Sequence, residues 1–61
     1  MIPVESSSIR AVDYDGHHLF VQFHTSDIYV HYGVPYAVFA GLMEAASMGA
    51  YYNRFIRGRF R

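Results

Sequence analysis

Four arginines crowd the last eight residues of this 61-residue chain: Arg54, Arg57, Arg59 and Arg61, interleaved with Phe55 and Phe60 and with no acid among them. A guanidinium donates paired hydrogen bonds to phosphate and lies flat on aromatic rings. Such a run suits an anionic partner, held by contacts that weaken steeply as salt rises. Its plainer reading is a basic helix end that complements the helix dipole and keeps an aromatic-rich protein in solution. Lysine is absent from the chain, which favours specific contacts. The first 50 residues carry Arg10 against Glu5, Asp13, Asp15, Asp27 and Glu44, a net of −4. The charge pattern is thus a basic tail on a mildly acidic body.

The four histidines are the next candidates for chemistry. His17 and His18 are adjacent, so their side chains diverge on a strand or tight turn. His24 and His31 lack an evident third ligand, and zinc needs three or four convergent ones. No metal and no cofactor is expected. Serines are available at 6, 7, 8, 26 and 47, without a nucleophile, base and orienting group in any readable arrangement. A chain of this length also has little room for a deep substrate cleft. The reading is a binding module with no catalytic residues.

The elements that must position these groups belong to one domain spanning residues 1–61. A domain of this size typically gains only about 3–5 kcal/mol from its core. With no cysteine, no disulfide adds to that. Apolar residues make up 52% of the chain, and six Tyr with five Phe supply more aromatic surface than a small core can hide, so some should remain outside. No segment approaches the 18 or so apolar residues of a membrane span, and the start lacks the features of a signal peptide. A soluble cytoplasmic protein with no membrane partner is expected.

Residues 1–7 read as a loose lead-in. Ile9 to Tyr14 has strand-like content. Asp15-Gly16 between two apolar runs is a hairpin signal, because Gly accepts positive φ without steric cost. Leu19 to His24 and Ile28 to Tyr32 read as second and third strands, separated by the turn Thr25-Ser26-Asp27. Gly33 and Pro35 then open a helix to Ala46, with Val38, Phe39, Leu42, Met43 and Ala46 at the three-and-four spacing of a buried face. Ser47 can cap a second helix over 48–57, Gly58 stops it, and 58–61 form the basic tail. The expected fold is α+β: a three-stranded antiparallel sheet followed by two short helices packed on one face.

Two helices cover one face of such a sheet. Leu19, Val21 and Phe23, with Ile28, Val30 and Tyr32, make the more apolar set and are assigned beneath the helices. The open face then carries Phe20, Gln22, His24, Tyr29 and His31. Two readings of that face stand. In one, Phe20, Tyr29 and His31 stack on unpaired bases while Arg54, Arg57, Arg59 and Arg61 hold phosphates, so the partner is RNA or another single-stranded nucleic acid. In the other, the same aromatics form an interface with a protein or with a second copy of the chain.

Ordered segments along nearly the whole chain resemble the KTSC domain, a family named for its occurrence at the C-terminus of some lysyl-tRNA synthetases. They are Ser7-Ser8-Ile9, Tyr14-Asp15, Leu19-Phe20-Val21-Gln22-Phe23, Tyr29-Val30-His31-Tyr32-Gly33-Val34-Pro35, Ala46-Ser47-Met48-Gly49-Ala50-Tyr51-Tyr52-Asn53 and Ile56-Arg57-Gly58. The resemblance implies an α+β fold, no known enzyme activity and a proposed role in RNA binding. One position departs from the family: its central Tyr-x-Tyr falls on Tyr29-Val30-His31, with histidine in place of the second tyrosine.

Overall fold

The computed structural model describes residues 1–60. Four strands form one antiparallel sheet in the order β1 (Ile2–Pro3), β2 (Ile9–Tyr14), β3 (Leu19–Phe23) and β4 (Ile28–His31). Two helical segments follow: α1 (Tyr36–Glu44), and α2 (Met48–Tyr51), which runs on into a π-helical turn over Tyr52–Ile56. The α+β class is as expected, and the strand number is corrected from three to four. The added strand lies in the presumed lead-in, where Ile2 pairs with Val12 and Pro3 with Ala11. Two residues are too short a run to show a strand's alternation, so the pattern could not declare it.

A bulge explains the mixed alternation of β2. Ile9 pairs with Phe23 but Ala11 pairs with Gln22, so Arg10 is an extra residue in the ladder. The bulge lets Ile9 and Val12 both face inward at odd spacing, and both are fully buried. They join Leu19, Val21, Leu42 and Ile56 in the core between sheet and helices. Tyr14 ties the layers together. Its ring stacks on Phe39 at 4.7 Å and 10°, and its hydroxyl donates to the Val34 carbonyl.

The Asp15-Gly16 turn forms where expected. The Asp15 N–H donates to the His18 carbonyl at 3.2 Å, and Gly16 sits at φ 96°, as a hairpin with glycine first in the turn requires. The Asp15 carboxylate accepts from the backbone N–H groups of His18 (2.6 Å) and His17 (2.9 Å), and meets the His18 ring at 2.9 Å. These bonds, the His18 backbone N–H foremost, lower its pKa from 3.8 to about 2. A carboxylate lowered on folding stabilises fully above its ordinary pKa, and that contribution fades as pH falls from about 4 toward about 2. Thermal melts from neutral pH downward are therefore expected to lose midpoint in that window, with a shallower loss for Asp15→Asn.

The second turn decides which way β4 faces. Phe23 N–H donates to Asp27, and Ser26 N–H donates back to Phe23, closing a three-residue loop with Ser26 at φ 76°. The pairing that follows is Gln22 with Ile28, Val21 with Tyr29, Phe20 with Val30 and Leu19 with His31. Opposed residues share a face, so Tyr29 and His31 lie beneath the helical side. Ile28 and Val30 share the open face with Phe20 and Gln22. This reverses the sequence assignment for β4: Ile28, Val30 and Tyr32 are 53%, 36% and 55% exposed. A one-residue change in register turns every side chain of a strand over.

The helical segments carry the expected signals with small changes. Pro35 is the residue before α1 and not within it, and Leu42 is the fully buried member of its inner face. Ser47 caps α2 through its hydroxyl, which accepts from Ala50 N–H at 3.3 Å. Past Ile56, Gly58 at φ 79° turns the chain back, and the Ile56 carbonyl accepts from both Arg59 and Phe60. Phe60 then packs against the core.

Candidate functional site

The turned β4 and the π-helical turn enclose a groove of about 510 Å³ on the helical side of the sheet. Phe23, Tyr29 and His31 line it from the sheet, and Tyr52, Asn53 and Arg57 from the helix; Ser7, Ser8 and the β3–β4 turn close its ends. The last turn is wound more widely than an α-helix, with Arg57 N–H donating to Tyr52 at 2.8 Å across five residues. Such π turns recur at functional sites. Here the wider turn coincides with the segment that brings Tyr52, Asn53 and Arg57 to one groove.

The groove floor is fixed by a buried polar pair. His31 is 8% exposed and Tyr52 is 4% exposed. His31 Nδ1 lies 3.2 Å from the Phe60 carbonyl, and Nε2 lies 2.8 Å from the Tyr52 hydroxyl. A carbonyl only accepts, so Nδ1 carries a proton, and in the neutral imidazole Nε2 accepts from Tyr52 O–H. Burial raises the Tyr52 hydroxyl above its ordinary pKa, the neighbouring Tyr29 hydroxyl adds to that, and Arg57 opposes it.

Around this floor the aromatics stand edge to face. Phe23 meets Tyr29 at 5.4 Å and Tyr52 at 5.2 Å. Tyr29 is half exposed, so it offers a ring surface to a ligand. Arg57 supplies the cation, with Asn53 Oδ1 3.5 Å from its Nη1. A site of this kind can hold one flat unpaired group and an adjoining anion. Asp27 also lines the groove and disfavours an anion beside it, which directs one toward Arg57.

The residues picked from sequence separate into two groups. Tyr29, His31 and Arg57 meet in the groove, with His31 as a structural member below its surface. Phe20 lies on the opposite face of the sheet, beside His18 (6.3 Å between ring centroids). Arg54 packs over Phe55 at 5.4 Å, and Arg59 Nε donates to the Arg54 carbonyl at 3.1 Å. Arg61 lies outside the described residues. The basic segment as described is therefore folded onto the helix end, and one of its arginines, Arg57, reaches the groove. Sequence reading missed Phe23, Tyr52 and Asn53. Asn53 and Arg57 do stand four apart, the spacing that puts side chains together on a helix.

Among the described residues no helix is long and apolar enough to cross a membrane. A protein of Tsukamurella paurometabola is 41% identical, with all of this chain and 94% of that protein covered. The crystal structure of a KTSC domain protein from Yersinia pestis superposes with a TM-score of 0.92 at 34% identity, covering 97% of this chain and 86% of that one. The KTSC domain pattern itself matches residues 5–60. The chain therefore belongs to the KTSC domain family.

Proposed function

We propose that this chain is a small, non-enzymatic binding module of the cytoplasm that takes a short unpaired stretch of RNA in the groove. One base lies against the exposed ring of Tyr29, and the adjoining phosphate is held by Arg57. The observation that carries this reading is the meeting of a half-exposed aromatic ring, an arginine and an amide side chain in one groove of about 510 Å³. Base stacking on an aromatic side chain contributes about 1–3 kcal/mol and tolerates any base. A charge-assisted contact to phosphate adds a similar amount. The acidic body and the single groove arginine limit the footprint to a few nucleotides.

Fluorescence anisotropy of a short labelled single-stranded RNA tests it. Binding is expected to weaken as salt rises, and Arg57→Ala and Tyr29→Ala should each cost about tenfold, or ~1.4 kcal/mol. Phe20→Ala, on the other face, should leave affinity unchanged. Binding that is lost with Phe20 and kept without Tyr29 would move the site to the open face. No binding at high micromolar protein and low salt would reject a nucleic-acid ligand. The competing reading, a protein-interaction module, is favoured by a separate observation: among the described residues the outer edge of β4 pairs with no strand.

A further inference from the structure

The two edges of the sheet are treated differently by the sequence. The β1 edge is only Ile2–Pro3, short and closed by a proline that cannot donate. The β4 edge, Ile28-Tyr29-Val30-His31, has no charge, no proline and no bulge. Its outward backbone groups follow from the ladder. Phe23 N–H donates to the carbonyl of the opposed Asp27, which marks a bonded position, and bonded positions alternate in an antiparallel ladder. Tyr29 and His31 therefore bond inward to Val21 and Leu19, and the N–H and C=O groups of Ile28 and Val30 point off the edge.

We infer that β4 pairs with β4 of a second copy of this chain, antiparallel about a twofold axis at Tyr29, making one continuous eight-stranded sheet. The register follows from which residues are available. Outward groups must meet outward groups, so Ile28 of one copy can bond Val30 of the other, and the reverse. A register centred on Val30 needs Tyr32, which has left the strand where the chain turns at Gly33 (φ 70°). One centred on Ile28 needs Ser26, which is held in the turn at φ 76°. Centring on Tyr29 uses strand residues alone. It places Ile28 and Val30 of each copy beside one another on the open face, and the two Tyr29 side chains face each other on the groove side.

Exposed apolar and aromatic surface along β4 suits a second copy. Ile28, Tyr29, Val30 and Tyr32 are each between 36% and 55% exposed. Covering them removes at most about 400 Å² per copy, roughly half of a standard specific interface, as suits a weak and reversible association. The zero net charge of the chain adds no long-range repulsion. The dimer is therefore expected to be weak, and because Tyr29 lines each groove, pairing sets the two grooves side by side. The inference does not rest on RNA binding, since it is read from oligomeric state.

Sedimentation equilibrium from about 10 µM to about 1 mM, a range spanning the expected dissociation constant, should show a monomer passing to a dimer. Val30→Lys should stay monomeric with an unchanged circular dichroism spectrum. Cysteine trapping reports the register, since the chain has no cysteine of its own. Directly opposed, non-bonded residues have Cα atoms about 4.5 Å apart, within disulfide reach. Tyr29→Cys should therefore oxidise to a covalent dimer, and Val30→Cys should do so far more slowly. A chain that is monomeric throughout, with no cross-link at position 29, overturns the inference and leaves the edge to another protein's strand. Faster cross-linking at position 30 than at 29 overturns the register.

Discussion

Gly41→Ala should destabilise the domain by about 1–2 kcal/mol, although alanine is the better helix former by about 1 kcal/mol. Gly41 lies in α1 under the ring of Tyr51. A methyl group there would stand 2.8 Å from Cζ of that ring and closer still to its hydroxyl. The ring cannot yield cheaply. Its hydroxyl donates to the Val38 carbonyl at 3.0 Å, and the ring meets Phe55 at 4.7 Å with a 43° tilt. Overpacking or expelling a side chain of this kind costs about 1–3 kcal/mol, which exceeds the gain in propensity. Urea unfolding should show a lower midpoint with an unchanged slope. The mechanism has a sharper signature in a Tyr51→Ala background. With the ring gone, Gly41→Ala should become stabilising, by up to about 1 kcal/mol. Stabilisation in the natural background would contradict the packing.

The second large effect is expected at Tyr52→Phe. The substitution keeps the ring and removes the hydroxyl that donates to His31 Nε2. A buried acceptor left without its donor costs about 1–3 kcal/mol, a large share of the roughly 3–5 kcal/mol such a small core supplies. If the two side chains act as one unit, His31→Leu should already contain part of that loss. The double variant should then be less destabilised than the sum of the singles, by at least about 0.5 kcal/mol. Strict additivity would mean that the pair does not fix the groove floor. This places the family departure at His31 in the interior, where its role is to receive one hydrogen bond and to give another.

How far the fold could be read in advance differs from element to element, for physical reasons. Asp15-Gly16 and Ser47 were legible because a turn and a cap depend on one or two side chains acting on nearby backbone. The inner position of Leu42 followed from helical spacing. The facing of β4 was not legible, because Ile28, Tyr29, Val30, His31 and Tyr32 are apolar or aromatic on both sides. With alternation silent, the length of the preceding turn decides, and Ser26 at positive φ sets that length. His31 misled for the same reason: a histidine is usually placed outside, and its burial depends on Tyr52, which lies 21 residues away. The candidate site was half legible. Tyr29 and Arg57 were singled out by type, but their meeting needed the register of one strand and the widened final turn of one helix.

The central claim is that the ligand enters the groove between β4 and the π-helical turn, and chemical-shift mapping by NMR tests it most directly. Titrating a short single-stranded RNA into labelled protein should move the amide and side-chain signals of Tyr29, Tyr52, Asn53 and Arg57 together, on one binding curve. Phe20 and Gln22, on the far face of the sheet, should stay still. Shifts concentrated at Phe20 and Gln22 with the groove unmoved would contradict the account.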